Sequence, residues 1–148
     1  MKLAAAFLQK LLPPVWLGMI CAIAMEAQLK FQAPGITREL GLGIGKIVFT
    51  ALNHVECAIA ILLLITFFVF KNARRTQIVF AAILLILLTQ TLWLIPNLIE
   101  RIDLITSGQT VPSGLPIHFF YIAFEICKMV LLLILSVLLH GQTVDLRK

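Results

Sequence analysis

The stretch IHFFYIAFEICKMVLLLILSVLLH, residues 117–140, is almost continuously apolar, yet it carries an acid and a lysine, Glu125 and Lys128, in its interior. A helix of this length, rising 1.5 Å per residue, spans the roughly 30 Å hydrocarbon core of a bilayer. Lipid offers no partner to a free backbone N–H or C=O, so a segment of this kind is expected to be helical. The stretch therefore predicts a transmembrane helix with two charged groups inside it.

Three further apolar blocks precede this one, at about residues 11–29, 43–70 and 77–99. Over the 148 residues, 61% are hydrophobic and 13% are charged, against roughly 45–50% and about 25% in an ordinary soluble domain. The blocks are too long and too continuously apolar for the strands of a membrane barrel. The sequence predicts an all-α polytopic membrane protein, a single domain over residues 1–148 that forms a four-transmembrane-helix bundle.

Prolines and tryptophans refine the predicted spans. Pro13 and Pro14 precede the first apolar run and are expected to begin its helix, where a missing N–H costs little. Pro96 is expected to kink or end the third helix. Trp16 and Trp93 are interpreted as anchors at the membrane–water interface. Polar connections are expected between the spans, the last of them running from Arg101 to Pro116.

Basic residues predict the orientation. With four spans, one side of the membrane holds seven of them: Lys2, Lys10, Lys71, Arg74, Arg75, Arg147 and Lys148. The other side holds four: Lys30, Arg38, Lys46 and Arg101. The positive-inside rule then favours a cell inner (plasma) membrane protein with both termini in the cytoplasm. The formal charge of +5 is attributed to this topology and to anionic lipid, and no nucleic-acid partner is predicted.

The cysteines point to no metal or redox centre. Cys21, Cys57 and Cys127 fall in three different predicted helices without a Cys-x-x-Cys pair, so neither a zinc site nor a thioredoxin-like motif is predicted. No catalytic motif is found, and a binding or transport role is favoured over an enzymatic one. Because four short helices enclose little volume, a homo-oligomer or a larger membrane complex is expected.

Ionisable and amide side chains within the spans are the unusual feature. The candidate ligand- or proton-binding residues are Glu26, Asn53, His54, Glu56, Gln90, His118, Glu125 and Lys128. Each charge at the bilayer centre costs about 2.5–3.5 kcal/mol on insertion scales. These groups are therefore expected to face inward and to pair with one another.

Depth and helix face select five members of that set. Counted at 1.5 Å per residue from the predicted ends, Asn53, Glu56, Gln90, Glu125 and Lys128 all lie roughly 12–20 Å deep, near the bilayer midplane. The spacing places Asn53 and Glu56 on one stripe of the second helix, and Glu125 and Lys128 on one stripe of the fourth. The sequence therefore predicts one buried polar cluster near the middle of the bundle.

The charges of this cluster suggest a function. Glu56 and Glu125 compete for the single ammonium group of Lys128, and an unpaired carboxylate in a low-dielectric site tends to stay protonated. One shared proton is expected, and the predicted function is binding or translocation of a small solute, ion or proton.

Two other readings remain open. A buried ion pair can also fix helix register or hold a partner, so the protein could be an accessory or scaffolding subunit of a larger membrane complex. A membrane redox protein is a further alternative, and the cofactor is unknown. His54 and His118 differ in depth by roughly 15 Å, which disfavours a bis-histidine haem within one chain. A single-histidine site, or a quinone against Trp93 and Tyr121, stays open.

Part of the chain resembles a known family. The residues that carry the likeness are Trp16-x-Gly18, Phe31-x-Ala33-Pro34 and a helix start at Gly43 and Gly45 leading to Phe49. This pattern resembles the first half of a small four-helix membrane family of unknown function related to transmembrane protein 205. The resemblance covers about forty residues and implies a four-span membrane protein; it assigns no role to Asn53, His54 or Glu56.

Overall fold

The chain folds as a bundle of apolar helices. A computed structural model describes residues 2–109 and 117–142. Within those ranges all regular structure is helical, and four segments are long and apolar enough to cross a membrane. The elements are α1 (Lys2–Leu29), a short 3₁₀ turn (Lys30–Gln32), α2 (Arg38–Val69), α3 (Arg74–Thr89), a π-helical turn (Gln90–Leu94), α4 (Ile95–Thr106) and α5 (Ile117–Gly141). The predicted all-α four-helix membrane fold is confirmed.

The four segments run alternately up and down. Helix α1 packs against α2 and α5, while the third segment packs against α5 through α3 and against α2 through α4. Polar side chains tie one end together: Lys10 Nζ donates to the carbonyl of Gln142 at 3.3 Å, and Gln9 Nε2 donates to Asn72 Oδ1 at 3.2 Å. We call this the termini end, and the opposite end, where residues 30–37 connect α1 to α2, the loop end.

Apolar side chains fill the half of the bundle nearer the termini end. Its fully buried members include Leu63 on α2, Ile83 on α3 and Leu132 and Leu135 on α5. Large apolar side chains on the outside, such as Phe68 at 83% exposure, face where lipid would lie. Since lipid is as apolar as leucine, close packing rather than the hydrophobic effect holds such a core together.

Helix α1 begins earlier than the sequence indicated. It starts at Lys2 and continues through Pro13 and Pro14, which were expected to lie at its first turn. Each proline lacks the N–H that would bond to the carbonyl four residues earlier, at Gln9 and Lys10. Helix α1 therefore extends well beyond the predicted apolar span of residues 11–29.

The third segment also continues past its predicted end. It was expected to kink or stop near Pro96 and to end at about residue 99, but α4 runs on to Thr106. The π-helical turn comes directly before this proline, and the N–H of Ile95 bonds to the carbonyl of Gln90, five residues back. A proline ring clashes with the carbonyl four residues before it in a regular α-helix. The wider turn gives that ring room.

Some sequence-based predictions concern residues that the structure does not describe. Residues 110–116 of the predicted third connection lie outside the described residues, as do Arg147 and Lys148, which were counted in the orientation argument.

Candidate functional site

Lys128 is the centre of a buried polar cluster. Its side chain is completely buried, and its ammonium group lies 2.6 Å from Glu56 Oε1, 2.8 Å from Gln90 Oε1 and 3.1 Å from Glu125 Oε1. An ammonium group has three donors, and here three oxygens from three parts of the bundle surround it. Each donor therefore has an acceptor, as a fully buried ammonium group requires.

Two further hydrogen bonds close the network. Trp16 Nε1 donates to Glu56 Oε1 at 2.8 Å, and Gln90 Nε2 donates to Glu125 Oε1 at 3.0 Å. We call Trp16, Glu56, Gln90, Glu125 and Lys128 the charge cluster. It joins α1, α2, the π-helical turn and α5, so all four membrane segments contribute to it.

The charge cluster holds one acid more than it holds bases. Glu56 is 1% exposed, and the Glu125 side chain is 12% exposed. Glu125 Oε2 is buried and has no hydrogen-bond partner among the described residues. With both carboxyl groups ionised, the cluster would carry one net negative charge.

The π-helical turn determines how the third segment meets the cluster. In a regular α-helix consecutive side chains point about 100° apart, yet Gln90 reaches Lys128 on α5 while Thr91 Oγ1 accepts a hydrogen bond from Asn53 Nδ2 on α2 at 2.8 Å. Cys57 Sγ also lies 3.8 Å from Thr91 Oγ1. Two consecutive residues of the turn thus bind two different helices.

The structure brings half of the predicted site residues together. Glu56, Gln90, Glu125 and Lys128 are in direct contact. Asn53 is buried on the same stripe of α2 but binds Thr91.

The other three predicted residues lie elsewhere. His54 is exposed on the outside of α2, near the middle of that helix. Glu26 lies near the loop end, with its Oε2 3.6 Å from Lys30 Nζ. His118 is exposed at the start of α5 and lines a cavity. None of these three joins the charge cluster.

Trp16 is the cluster member that sequence reasoning missed. It was interpreted as an interfacial anchor, which is wrong, because its side chain has no exposed surface. The predicted helix start near residue 11 placed Trp16 at the membrane surface, whereas the actual start at Lys2 places it in the middle of α1. A buried indole N–H requires an acceptor, and Glu56 provides it.

A cavity of about 620 Å³ lies between the charge cluster and the loop end. Its walls are mainly apolar, and Tyr121 and Glu125 line it on α5. Four basic side chains also line it: Lys30, Arg38, Arg101 and His118. Toward the termini end, by contrast, the apolar core is closely packed. Within the described residues, the cavity thus lies on the loop-end side of the cluster and the packed core lies on the other side.

The described residues contain no group of three or more His, Cys, Asp or Glu side chains that could hold a metal ion. The three cysteines are unpaired and lie on α1, α2 and α5.

The chain matches no protein-family model, no curated protein and no solved structure.

Proposed function

We propose that this protein binds a small solute or ion in its membrane-embedded centre and moves it together with a proton held by the charge cluster. The observation that carries the proposal is the buried Glu125 Oε2, which has no hydrogen-bond partner among the described residues and belongs to a residue lining the loop-end cavity. Intramembrane acids of this kind are typical of proton relays and solute pathways. The cavity volume of about 620 Å³ is within the range of small-molecule sites.

The charge balance supports a proton rather than a fixed ion pair. With both acids ionised the cluster would carry one uncompensated negative charge in a site that excludes water. Adding one proton removes that charge without moving any helix. Losing the proton requires a compensating cation or access to water, and the cavity beside Glu125 offers a route for either.

The one-sided cavity supports a carrier over a channel. A channel needs a continuous path across the membrane, but the apolar core around Leu63 and Leu135 fills the bundle between the cluster and the termini end. In a carrier, the site opens to each side in turn. Because the cavity lies on the loop-end side of the cluster, we assign this geometry to the carrier conformation that opens toward the loop end.

We infer further that the loop end faces outward from an inner (plasma) membrane. Within the described residues, five basic residues lie at or near the termini end, namely Lys2, Lys10, Lys71, Arg74 and Arg75, and four lie toward the loop end. An excess of basic residues marks the cytoplasmic side. The cavity would then open away from the cytoplasm.

Proton movement can be measured with a mixture of candidate solutes supplied to the liposomes, because coupled movement needs a solute to be present but does not need its identity. Purified protein is placed in liposomes containing a pH-sensitive dye, and a potassium diffusion potential is applied. Glu125→Gln and Glu56→Gln are expected to abolish the proton flux and the pH-dependent uptake of any solute found. Glu100→Gln is the matched control, because Glu100 is an exposed carboxylate on α4 outside the cluster. Equal flux in all variants would contradict the proposal.

A second candidate is an accessory subunit of a larger membrane complex. His54 favours it, because this polar side chain is exposed near the middle of α2, at a level where the surroundings would be lipid. Polar groups at this depth commonly bind another protein. A tagged copy that purifies from native membranes with stoichiometric partners, lost in His54→Leu, would support this role over a carrier acting alone.

Membership in the family related to transmembrane protein 205 stays a prediction. Phe31, which belongs to the pattern, packs against Gly41, where an added Cβ would clash with the Phe31 ring.

A further inference from the structure

Lys30 is a largely buried cation near the loop end. Its side chain is 9% exposed and lines the loop-end cavity. The ammonium group lies 5.8 Å from the ring centre of Phe31 and 5.6 Å from that of Phe49. Its closest carboxylate oxygen is Glu26 Oε2 at 3.6 Å, beyond hydrogen-bond distance. Within residues 2–109 and 117–142, therefore, Lys30 has charge compensation but no hydrogen-bond acceptor, unlike Lys128.

The cavity next to Lys30 has a cationic end and an apolar body. The cations Lys30, Arg38 and Arg101 come from the connection after α1, the start of α2 and the later part of α4, all near the loop end. Aliphatic side chains, including Ile102 on α4 and Ile122 and Met129 on α5, line the rest. A molecule complementary to this surface has an anionic head and an apolar body.

We propose that the cavity binds a long-chain carboxylate, with its head accepting hydrogen bonds from Lys30 and its alkyl chain along the apolar walls. This deepens the proposed function, on which it rests, by naming the class of solute. The anion at Lys30 and the proton at Glu125 would then occupy different parts of one cavity.

Size and charge favour this occupant over a phospholipid. A volume of about 620 Å³ suits one drug-sized molecule, whereas a phospholipid with two acyl chains is larger. Lys30 is already partly compensated by Glu26. A carboxylate adds one negative charge beside that acid, whereas the phosphate monoester of a phosphatidate would add more, so the single charge is the better electrostatic match.

Photo-crosslinking tests the site directly. The probe is a sixteen-carbon fatty acid with a mid-chain diazirine, added to the full-length protein in phosphatidylcholine liposomes, and the labelled residues are mapped by mass spectrometry. Saturable labelling of cavity residues such as Ile102, Ile122 or Met129, competed by unlabelled fatty acid, is expected. Labelling that does not saturate, or that is confined to lipid-facing positions such as Phe68, would overturn the proposal.

Variants distinguish loss of the contact between Lys30 and the carboxylate head from a general loss of structure. Lys30→Met is expected to weaken competition about tenfold or more, the loss expected for hydrogen bonds to a charged group. Lys30→Arg is expected to retain binding. Lys46→Met is the matched control, because Lys46 lies toward the same end but binds Asp103 at 2.6 Å and does not line the cavity. Ala27→Leu, which keeps Lys30 but fills part of the cavity, is expected to reduce labelling. Equal labelling in Lys30→Met and Lys46→Met would contradict the assignment.

The two proposals fail differently. If the fatty acid does not bind but Glu125→Gln still abolishes proton flux, only the choice of solute is wrong. If the fatty acid binds saturably while flux is the same in Glu125→Gln and Glu100→Gln, the cavity is a lipid site without coupled proton movement. Tighter competition by lysophosphatidate than by the fatty acid would show that the head is a phosphate and overturn the carboxylate assignment.

Discussion

At the scale of single residues, the central fact is that the completely buried Lys128 has three acceptors for its three donors. A buried ion pair of this kind contributes little net stability, because desolvation offsets the attraction, but removing one partner leaves a bare charge. The lysine therefore makes the two acids interdependent. A substitution at one of the three charged residues should change the electrostatic environment of the other two.

The first prediction concerns this interdependence. Lys128→Met is expected to destabilise the folded protein by about 3–5 kcal/mol, since both acids lose their counter-charge. The double variant Lys128→Met with Glu56→Gln should recover part of that loss, because one acid has been made neutral. Denaturant unfolding in mixed micelles measures both. Additive effects of the two single changes would show that Glu56 and Lys128 are not coupled.

The second prediction concerns Trp16. Changing it to phenylalanine removes the hydrogen bond to Glu56 and is expected to cost about 1.5–3 kcal/mol, the usual value for a bond to a charged group. Trp93→Phe is the matched control, because Trp93 is 44% exposed and belongs to no cluster. The same unfolding measurement applies. A larger loss for Trp93→Phe than for Trp16→Phe would contradict the role given to Trp16.

At the scale of elements, the π-helical turn is the feature that arranges the site. Within it, Gln90 binds Lys128 and its neighbour Thr91 binds Asn53. Such turns are rare and are frequent at functional sites. Pro96, which follows the turn, has no backbone N–H. A regular α-helix would therefore gain no hydrogen bond at residue 96.

The third prediction follows from that turn. Pro96→Ala restores the missing N–H, and the segment is expected to relax toward a regular α-helix, which rotates Thr91 away from Cys57. The measurement is disulfide formation between Cys57 and Thr91→Cys, with Cys21 and Cys127 changed to alanine. The Sγ–Oγ1 distance of 3.8 Å predicts rapid cross-linking with Pro96 in place and slower cross-linking in Pro96→Ala. Identical rates would mean that the proline does not hold the turn.

The same elements show what could be predicted from the sequence. Continuous apolar stretches predict spans, and the i, i+3 spacing of Glu125 and Lys128 places both on one face; these local rules predicted four members of the charge cluster. Trp16 and Thr91 were missed because their positions depend on where α1 begins and on a π-helical turn. Neither feature has a strong local pattern, since apolar residues extend on both sides of Pro13 and a proline permits either a kink or a wider turn.

At the scale of the whole molecule, the bundle has two unlike halves. The half toward the termini end is a packed apolar core, and the half toward the loop end encloses a cavity with basic side chains in its wall. The charge cluster lies at the boundary between them. A protein with this arrangement must rearrange its packed half if a bound molecule is to leave on that side.

The fourth prediction tests this asymmetry with two leucines of α2. Leu52 is 5% exposed and lines the cavity, whereas Leu63 is fully buried in the apolar core. In a background with the native cysteines changed to alanine, Leu52→Cys is expected to react with a small membrane-impermeant thiol reagent added from the loop-end side, and Leu63→Cys from neither side. Both leucine side chains have almost no exposed surface, so a difference in reaction rate between the two cysteine variants reports access through the cavity. If Leu63→Cys reacts from the termini end without added solute, the half of the bundle toward that end is open, which would contradict a cavity confined to the loop-end half. If that reaction instead begins only when a fatty acid and a proton gradient are supplied, the packed half opens during the cycle, as a carrier requires.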